Sequence, residues 1–193
     1  MKDPSDKQKI LKLLRASTLE FQTQVAVSEI QSSIYVESDD PVVLFAEKIS
    51  AEGGKFYYCQ NEDELINNLK NLIEFRGWSN IESFSQTLWA FLESNNIKTQ
   101  TNLKNTKVGI TFCQGIVARS GSIVLSSVQG LGSNLIHFPP VLIVIATTNQ
   151  IFNSYKEMLS LLPETPPEWM VSIRSGKLIS EEIKELYLFI TEV

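Results

Sequence analysis

The chain has 193 residues, of which 43% are hydrophobic and 20% charged, and its formal net charge is −5. This composition predicts one globular domain, with at most a small appendage, and excludes disordered and fibrous proteins. The acidic balance and the scattered lysines and arginines argue against nucleic acid as a partner.

The first forty residues predict an arm that precedes the folded body. Residues 6–15 carry apolar side chains at helical spacing between lysines, so they predict a short helix. Residues 17–40 have no regular pattern and predict an irregular segment. We therefore expect an N-terminal helix and irregular arm over residues 1–40 and an α/β domain over residues 41–193.

Local signals for helix ends are clear in the next part of the chain. Pro41 is suited to the first turn of a helix, and Gly53 to its end. Asn61 predicts an N-cap because Glu64 follows three residues later. The predicted elements are helices over 41–49, from 61 to about 77 and over 85–93, and strands over 55–59 and 81–84.

The second half contains the two most informative segments, residues 108–127 and residues 135–146. Both are rich in β-branched residues and almost free of charge, and their apolar runs are each approached through a turn of small residues, which predicts buried interior strands. We expect both segments to lie in the middle of one sheet, with a hairpin-like GSIVLSS segment. The predicted elements are strands over 108–111, 116–118, 122–127, 141–146, 169–173 and 185–192, and a helix over 149–162.

The alternation of strands and helices predicts an α/β fold with a mostly parallel central sheet flanked by helices. Cys59 and Cys113 belong to no CxxC pair, so we expect two small core side chains and no metal site or disulfide. Residues 1–17 lack the apolar core of a signal peptide, and the longest apolar run is too short to cross a bilayer. We therefore expect a cytoplasmic protein without membrane insertion.

The turn over residues 118–122 is the strongest candidate for an anion site. Gly121 permits a backbone geometry that exposes N–H groups, and the hydroxyls of Ser120 and Ser122 suit a phosphate or a carboxylate. Arg119 would add a positive charge. The alternative interpretation is an ordinary hairpin turn with a solvent-facing arginine.

Three further residues are weaker candidates for binding a small anion. Asn134 lies in a second glycine-containing loop, which has neither a dinucleotide fingerprint nor a Walker motif. His137 is the single histidine, which excludes a multi-histidine metal site; the favoured interpretation is a structural residue, and general acid–base chemistry is the alternative. Arg174 follows a predicted strand and is either an anion ligand or part of a plain turn. No complete catalytic set is present, so the sequence leaves open whether the chain is an enzyme, and it predicts no cofactor.

Several motifs resemble, in the same order, the lactate-utilisation (LUD) domain family. They are VGIT, SGSIVLSS, FPPVLIVIA and the terminal ELYLFITEV. The resemblance implies the fold of the sugar-phosphate isomerase and CoA-transferase-like α/β group. It also implies an accessory role, ligand-binding or structural rather than catalytic, beside iron–sulfur partner proteins in the oxidation of lactate.

The residues that match the family motifs shape the backbone, and none supplies chemistry. They are Gly109, Thr111, Gly121, Ser122 and Pro139. The segment SIRSGKLISEEIKEL departs from the glycine- and histidine-containing turns that the family usually has before its last strand. The alternative function is therefore a metabolite-binding enzyme or sensor of the same fold, which recognises a phosphate or carboxylate group.

Overall fold

Helices and strands alternate through the computed structural model, which describes residues 40–100, 106–129, 138–174 and 183–192. The helices are α1 (Pro41–Ala51), α2 (Glu62–Arg76), α3 (Gln86–Ser94) and α4 (Tyr155–Ser160). The strands are β1 (Lys55–Cys59), β2 (Ile81–Ser83), β3 (Val108–Phe112), β4 (Gly115–Val117), β5 (Ser122–Ser126), β6 (Val141–Thr147), β7 (Ile151–Phe152), β8 (Met170–Arg174) and β9 (Glu185–Thr191). The predicted N-terminal arm lies outside the described residues, so the domain boundary at residue 40 stays a prediction.

Five strands form a parallel central sheet in the order β1-β9-β6-β3-β2. β6 and β9 are buried along almost their whole length because the sheet is covered on both faces. Burial on both faces explains why these segments read as continuous apolar runs instead of alternating ones. The predicted α/β fold with a mostly parallel, helix-flanked sheet is confirmed.

Four strands form a second sheet in the order β7-β4-β5-β8. β4 and β5 pair antiparallel, which confirms the predicted hairpin. The expectation that the GSIVLSS strand shares one sheet with the β6 strand is wrong, because β5 is an interior strand of the second sheet. The reason is that β3 already pairs with β2 and β6 on its two sides, so the hairpin that follows it has to pair elsewhere.

The two sheets and the helices form stacked layers with two main apolar cores. One face of the central sheet packs against α2 and α3 through a core of seventeen buried residues that includes Tyr57, Ile143 and Phe189. The other face packs against α1 and the inner face of the second sheet, through residues such as Ile123 and Leu188. α4 covers part of the outer face of the second sheet.

The helix ends follow the local signals in the sequence. Asn61 caps α2, since its side-chain oxygen accepts a hydrogen bond from Glu64 N at 2.9 Å, and Gly77 ends this helix with φ of 62°. Pro41 is the first residue of α1. None of the helices in the described ranges is long and apolar enough to cross a membrane.

The prediction of one helix over residues 149–162 is wrong. A single 3₁₀ turn (Thr148–Gln150) and the strand β7 precede a much shorter α4. Gln150 accounts for the interruption, because its side chain accepts from Thr147 N at 2.9 Å and donates to Cys113 O at 2.8 Å. This anchoring aligns β7 beside β4, and α4 begins only after its N-cap Ser154.

Candidate functional site

The outer face of the second sheet combines serine hydroxyls with an apolar patch. Side chains alternate along β5, so Ile123 and Leu125 enter the core shared with the central sheet. Ser122 and Val124 lie on the opposite face, where Val124 contacts residues of α4. Ser122 is fully buried, and a buried hydroxyl needs a hydrogen-bond partner.

β8 supplies that partner through its antiparallel register with β5. Ser122 lies opposite Arg174, and Val124 lies opposite Ser172, so the three polar residues share one face of the sheet. Arg174 Nε donates a hydrogen bond to Ser122 Oγ at 3.1 Å. This bond holds the guanidinium beside the strand, although the arginine as a whole is exposed.

α4 brings Tyr155 to the same place. Met158 of α4 packs on Val117 and Val124, and the helix can approach because Gly115 has no side chain. A Cβ at Gly115 would lie 2.9 Å from Met158 Sδ. As a result Tyr155 Oη lies 2.6 Å from Ser172 Oγ.

The polar groups around Tyr155 alter its acidity. Burial by itself would raise the pKa of Tyr155, but the nearby hydroxyls of Ser122, Ser172 and Ser120 and the positive charge of Arg174 outweigh burial. The net effect is a pKa of Tyr155 below that of an ordinary tyrosine. We call the group Ser120, Ser122, Tyr155, Ser172 and Arg174 the outer site.

The turn between β4 and β5 forms one border of the outer site. Gly121 has a φ of 64°, a left-handed conformation that favours glycine. Ser120 Oγ donates to Val117 O at 3.2 Å, and the side chain of Arg119 is exposed. The stem of Lys48 from α1 lies across the turn, since a Cβ at Gly121 would be 3.1 Å from Lys48 Cβ. Arg119 therefore lies on the turn, and the stem of Lys48 lies against it.

The structure brings together four of the seven residues that the sequence predicts as candidates for binding an anion. Ser120, Ser122 and Arg174 belong to the outer site, and Gly121 shapes the turn at its border. Arg119 is on that turn with its side chain in solvent. Asn134 and His137 lie outside the described residues. Sequence reasoning missed Tyr155, Ser172 and Lys48, because each reaches the site through a pairing or helix packing between distant parts of the chain. The one local signal was Ser154, an N-cap that places Tyr155 at the first position of α4.

The two cysteines are core residues, as predicted. Both are buried and neither forms a disulfide, and burial raises the pKa of the Cys113 thiol to about 12. Within the described ranges no three His, Cys, Asp or Glu side chains are grouped in a way that could hold a metal ion.

Comparisons with known proteins identify a family model and a solved structure that this architecture matches. The family model of the LUD domain matches residues 79–175, a range that contains all five residues of the outer site. The fold is similar to the crystal structure of a DUF162 family protein from Deinococcus radiodurans, with a TM-score of 0.59 and 14% sequence identity. That similarity covers 78% of this chain and 96% of the other, and at this identity it supports the fold alone. No curated protein matches the chain.

Proposed function

Because the chain belongs to the LUD domain family, we propose that it takes part in lactate utilisation as an accessory protein that binds a small organic anion. The family supplies the lactate-related role, and the outer site supplies a place for the anion. The resemblance of the sequence to the C-type subunits of lactate oxidation further favours iron–sulfur proteins as partners and a cytoplasmic location.

The hydrogen bond between Arg174 and Ser122 is the observation that carries the binding proposal. It occupies Nε of the guanidinium, and the terminal Nη groups have no hydrogen-bond partner in the described part of the chain. A guanidinium fixed in this way presents two parallel N–H groups, which suit the two oxygens of a carboxylate. Tyr155 and Ser172 share one hydrogen bond between their two hydroxyls, so one O–H of this pair is available to the same anion.

The positive charge of the outer site favours an anion over a neutral ligand. Arg174 forms no ion pair with any carboxylate of the described residues, and neither do Arg119 on the adjacent turn and Lys48, whose stem lies against that turn. In contrast, Arg76 at the end of α2 is paired with Glu185 at the start of β9. The unpaired guanidinium of Arg174 beside a serine hydroxyl therefore attracts an anion, in a protein whose net charge is negative.

A ligand screen tests the binding proposal. Lactate, pyruvate, propionate and inorganic phosphate are titrated while the melting temperature is followed, because a ligand of the native state raises apparent stability. We expect an organic acid to raise the melting temperature, and we expect Arg174→Ala to weaken its binding by about 10- to 100-fold, the effect of losing a charged hydrogen bond.

Arg76→Ala is the matched control, since it removes the same charge from a place away from the outer site. An equal response of Arg174→Ala and the unchanged protein would contradict the proposal, as would a screen in which none of the four anions stabilises the protein. Stabilisation by phosphate alone would favour the alternative function, the recognition of a phosphate-bearing metabolite.

Growth on lactate tests the role of the protein. We expect a strain that lacks the gene to grow poorly on lactate and normally on glucose. The unchanged gene should restore growth on lactate, and the Arg174→Ala gene should restore it less well. Normal growth of the deletion strain on lactate would refute the role, and co-purification with iron–sulfur proteins tests the proposed partners.

A further inference from the structure

We propose that Tyr155 is the specificity-determining residue of the outer site, where its phenol hydrogen-bonds a second oxygen beside the carboxylate of the bound anion. This inference rests on the proposed function, because it assumes that the carboxylate occupies Arg174. It assigns to the site a carboxylate with an oxygen on the neighbouring carbon, either a hydroxyl or a keto group.

The position of Tyr155 follows from contacts on both sides of its side chain. Its ring belongs to the apolar group of Val117, Val124 and Met158, so the ring position is fixed by packing. Its hydroxyl lies 2.6 Å from Ser172 Oγ. A phenol that is anchored at both ends loses little additional freedom when it binds a ligand.

Arg174 and Tyr155 converge on the same small area. Both interact with hydroxyls of neighbouring strands, Arg174 with Ser122 of β5 and Tyr155 with Ser172 of β8. Ser122 and Ser172 lie two positions apart in the register of this strand pair, and such diagonal neighbours are about 7–8 Å or less apart. This spacing allows one ligand of a few heavy atoms to reach both the guanidinium and the phenol.

Either hydroxyl of the Ser172 and Tyr155 pair can donate in the bond between them, and we assign Ser172 as the donor, which leaves the phenol as a donor toward the ligand. When Ser172 donates to the phenol oxygen, the proton of Tyr155 is free to point away from the sheet. The pKa of Tyr155 is lowered because the nearby hydroxyls of Ser122, Ser172 and Ser120 and the charge of Arg174 outweigh burial, and a more acidic phenol is a stronger donor. A donor serves a hydroxyl and a keto oxygen equally, and it has no partner on a ligand that carries hydrogen at this position.

Titration calorimetry with three matched acids tests this inference. L- and D-lactate carry a 2-hydroxyl, pyruvate carries a 2-keto oxygen, and propionate carries neither. We expect pyruvate and at least one lactate isomer to bind about tenfold more tightly than propionate, the effect of one hydrogen bond. In Tyr155→Phe this preference should vanish while propionate binds as before.

Tyr58→Phe is the matched control, because it also removes a phenol hydroxyl but from β1 of the central sheet. It should keep the preference. If Tyr155→Phe does not fold, Ser172→Ala replaces it, since this change keeps the phenol and removes the hydroxyl beside it. The preference over propionate should then shrink, and an unchanged preference would overturn the inference.

The outcomes separate this inference from the proposed function. Equal binding of propionate and lactate, or a preference that survives in Tyr155→Phe, refutes the role of Tyr155 and leaves the anion site intact. Binding of lactate without pyruvate refutes the donor role, because a keto oxygen can accept but not donate. If no organic acid binds at all, the binding proposal itself fails, and the role of Tyr155 fails with it.

Discussion

Replacement of Gly109 by alanine should destabilise the protein far more than an ordinary glycine replacement. Gly109 lies in β3, between β2 and β6. A Cβ at this position would lie 2.5 Å from Cε2 of Phe84 and 2.6 Å from Cγ of Pro139. Neither the interior strand nor the proline ring can easily move away, so the Gly109→Ala side chain has to displace the ring of Phe84.

The expected cost comes from overpacking, which typically amounts to about 1–3 kcal/mol. Contacts of this closeness on two sides place Gly109→Ala at the upper end, about 3 kcal/mol. Gly77→Ala is the control, because Gly77 has a φ of 62° but a Cβ added there would have no heavy atom within 4 Å. The control should lose only the backbone preference for glycine, about 1 kcal/mol.

Urea unfolding followed by circular dichroism measures the free energy of unfolding of both variants. The slope of this free energy against urea concentration should be the same in all variants. Phe84→Ala should cost less in the Gly109→Ala background than in the unchanged protein, with a coupling of about 1–2 kcal/mol in a double-mutant cycle. The reasoning is refuted if Gly109→Ala costs no more than Gly77→Ala. It is also refuted if the two changes at residues 84 and 109 are additive, because the clash would then not be the cause.

Three further predictions concern a helix cap, an ion pair and a thiol. Asn61→Ala should lower the free energy of unfolding by about 1 kcal/mol through loss of the α2 cap, as measured by urea unfolding. Burial alone would raise the pKa of Glu185, but Lys55 and Arg76 lower it below its ordinary value. The carboxylate therefore stabilises the fold fully at a pH above the ordinary pKa of a glutamate. This stabilisation is lost as the pH falls through the lowered pKa. Glu185→Gln should remove this part of the acid dependence in melting curves that start at neutral pH and continue into the acid range. Cys113 should resist iodoacetamide in the native protein and react in urea, and rapid labelling of the native thiol would contradict its burial.

Elements defined by neighbouring residues could be predicted from the sequence, whereas elements defined by distant pairing could not. The sequence predicts α2 closely because its cap at Asn61 and its glycine at residue 77 lie at its own ends. It does not predict the segment after β6, because Gln150 interrupts the helical pattern by binding the backbone of Cys113, 37 residues earlier in the chain. An amphipathic pattern cannot show such a contact.

The candidate site follows the same rule. The turn with Ser120 and Gly121 can be found in the sequence because its geometry depends on adjacent residues. Tyr155 and Ser172 cannot, because they meet only through the packing of α4 and the register of β8. The sequence therefore identifies the turn residues of the outer site, whereas Tyr155 and Ser172 are identified only by the structure.

The two serines at the ends of β5 show why the outer site lies at one end of this strand and not at the other. Ser122 and Ser126 are both fully buried and occupy the same face. Ser126 Oγ is within hydrogen-bond distance of the side chains of Gln114 and Gln129 and accepts from Val128 N, so neutral groups of the protein satisfy it. Ser122 instead accepts from a guanidinium whose remaining N–H groups point to no partner among the described residues. Of these two ends, the Ser122 end alone therefore has both unsatisfied donors and a positive charge, which is the combination that an anion requires.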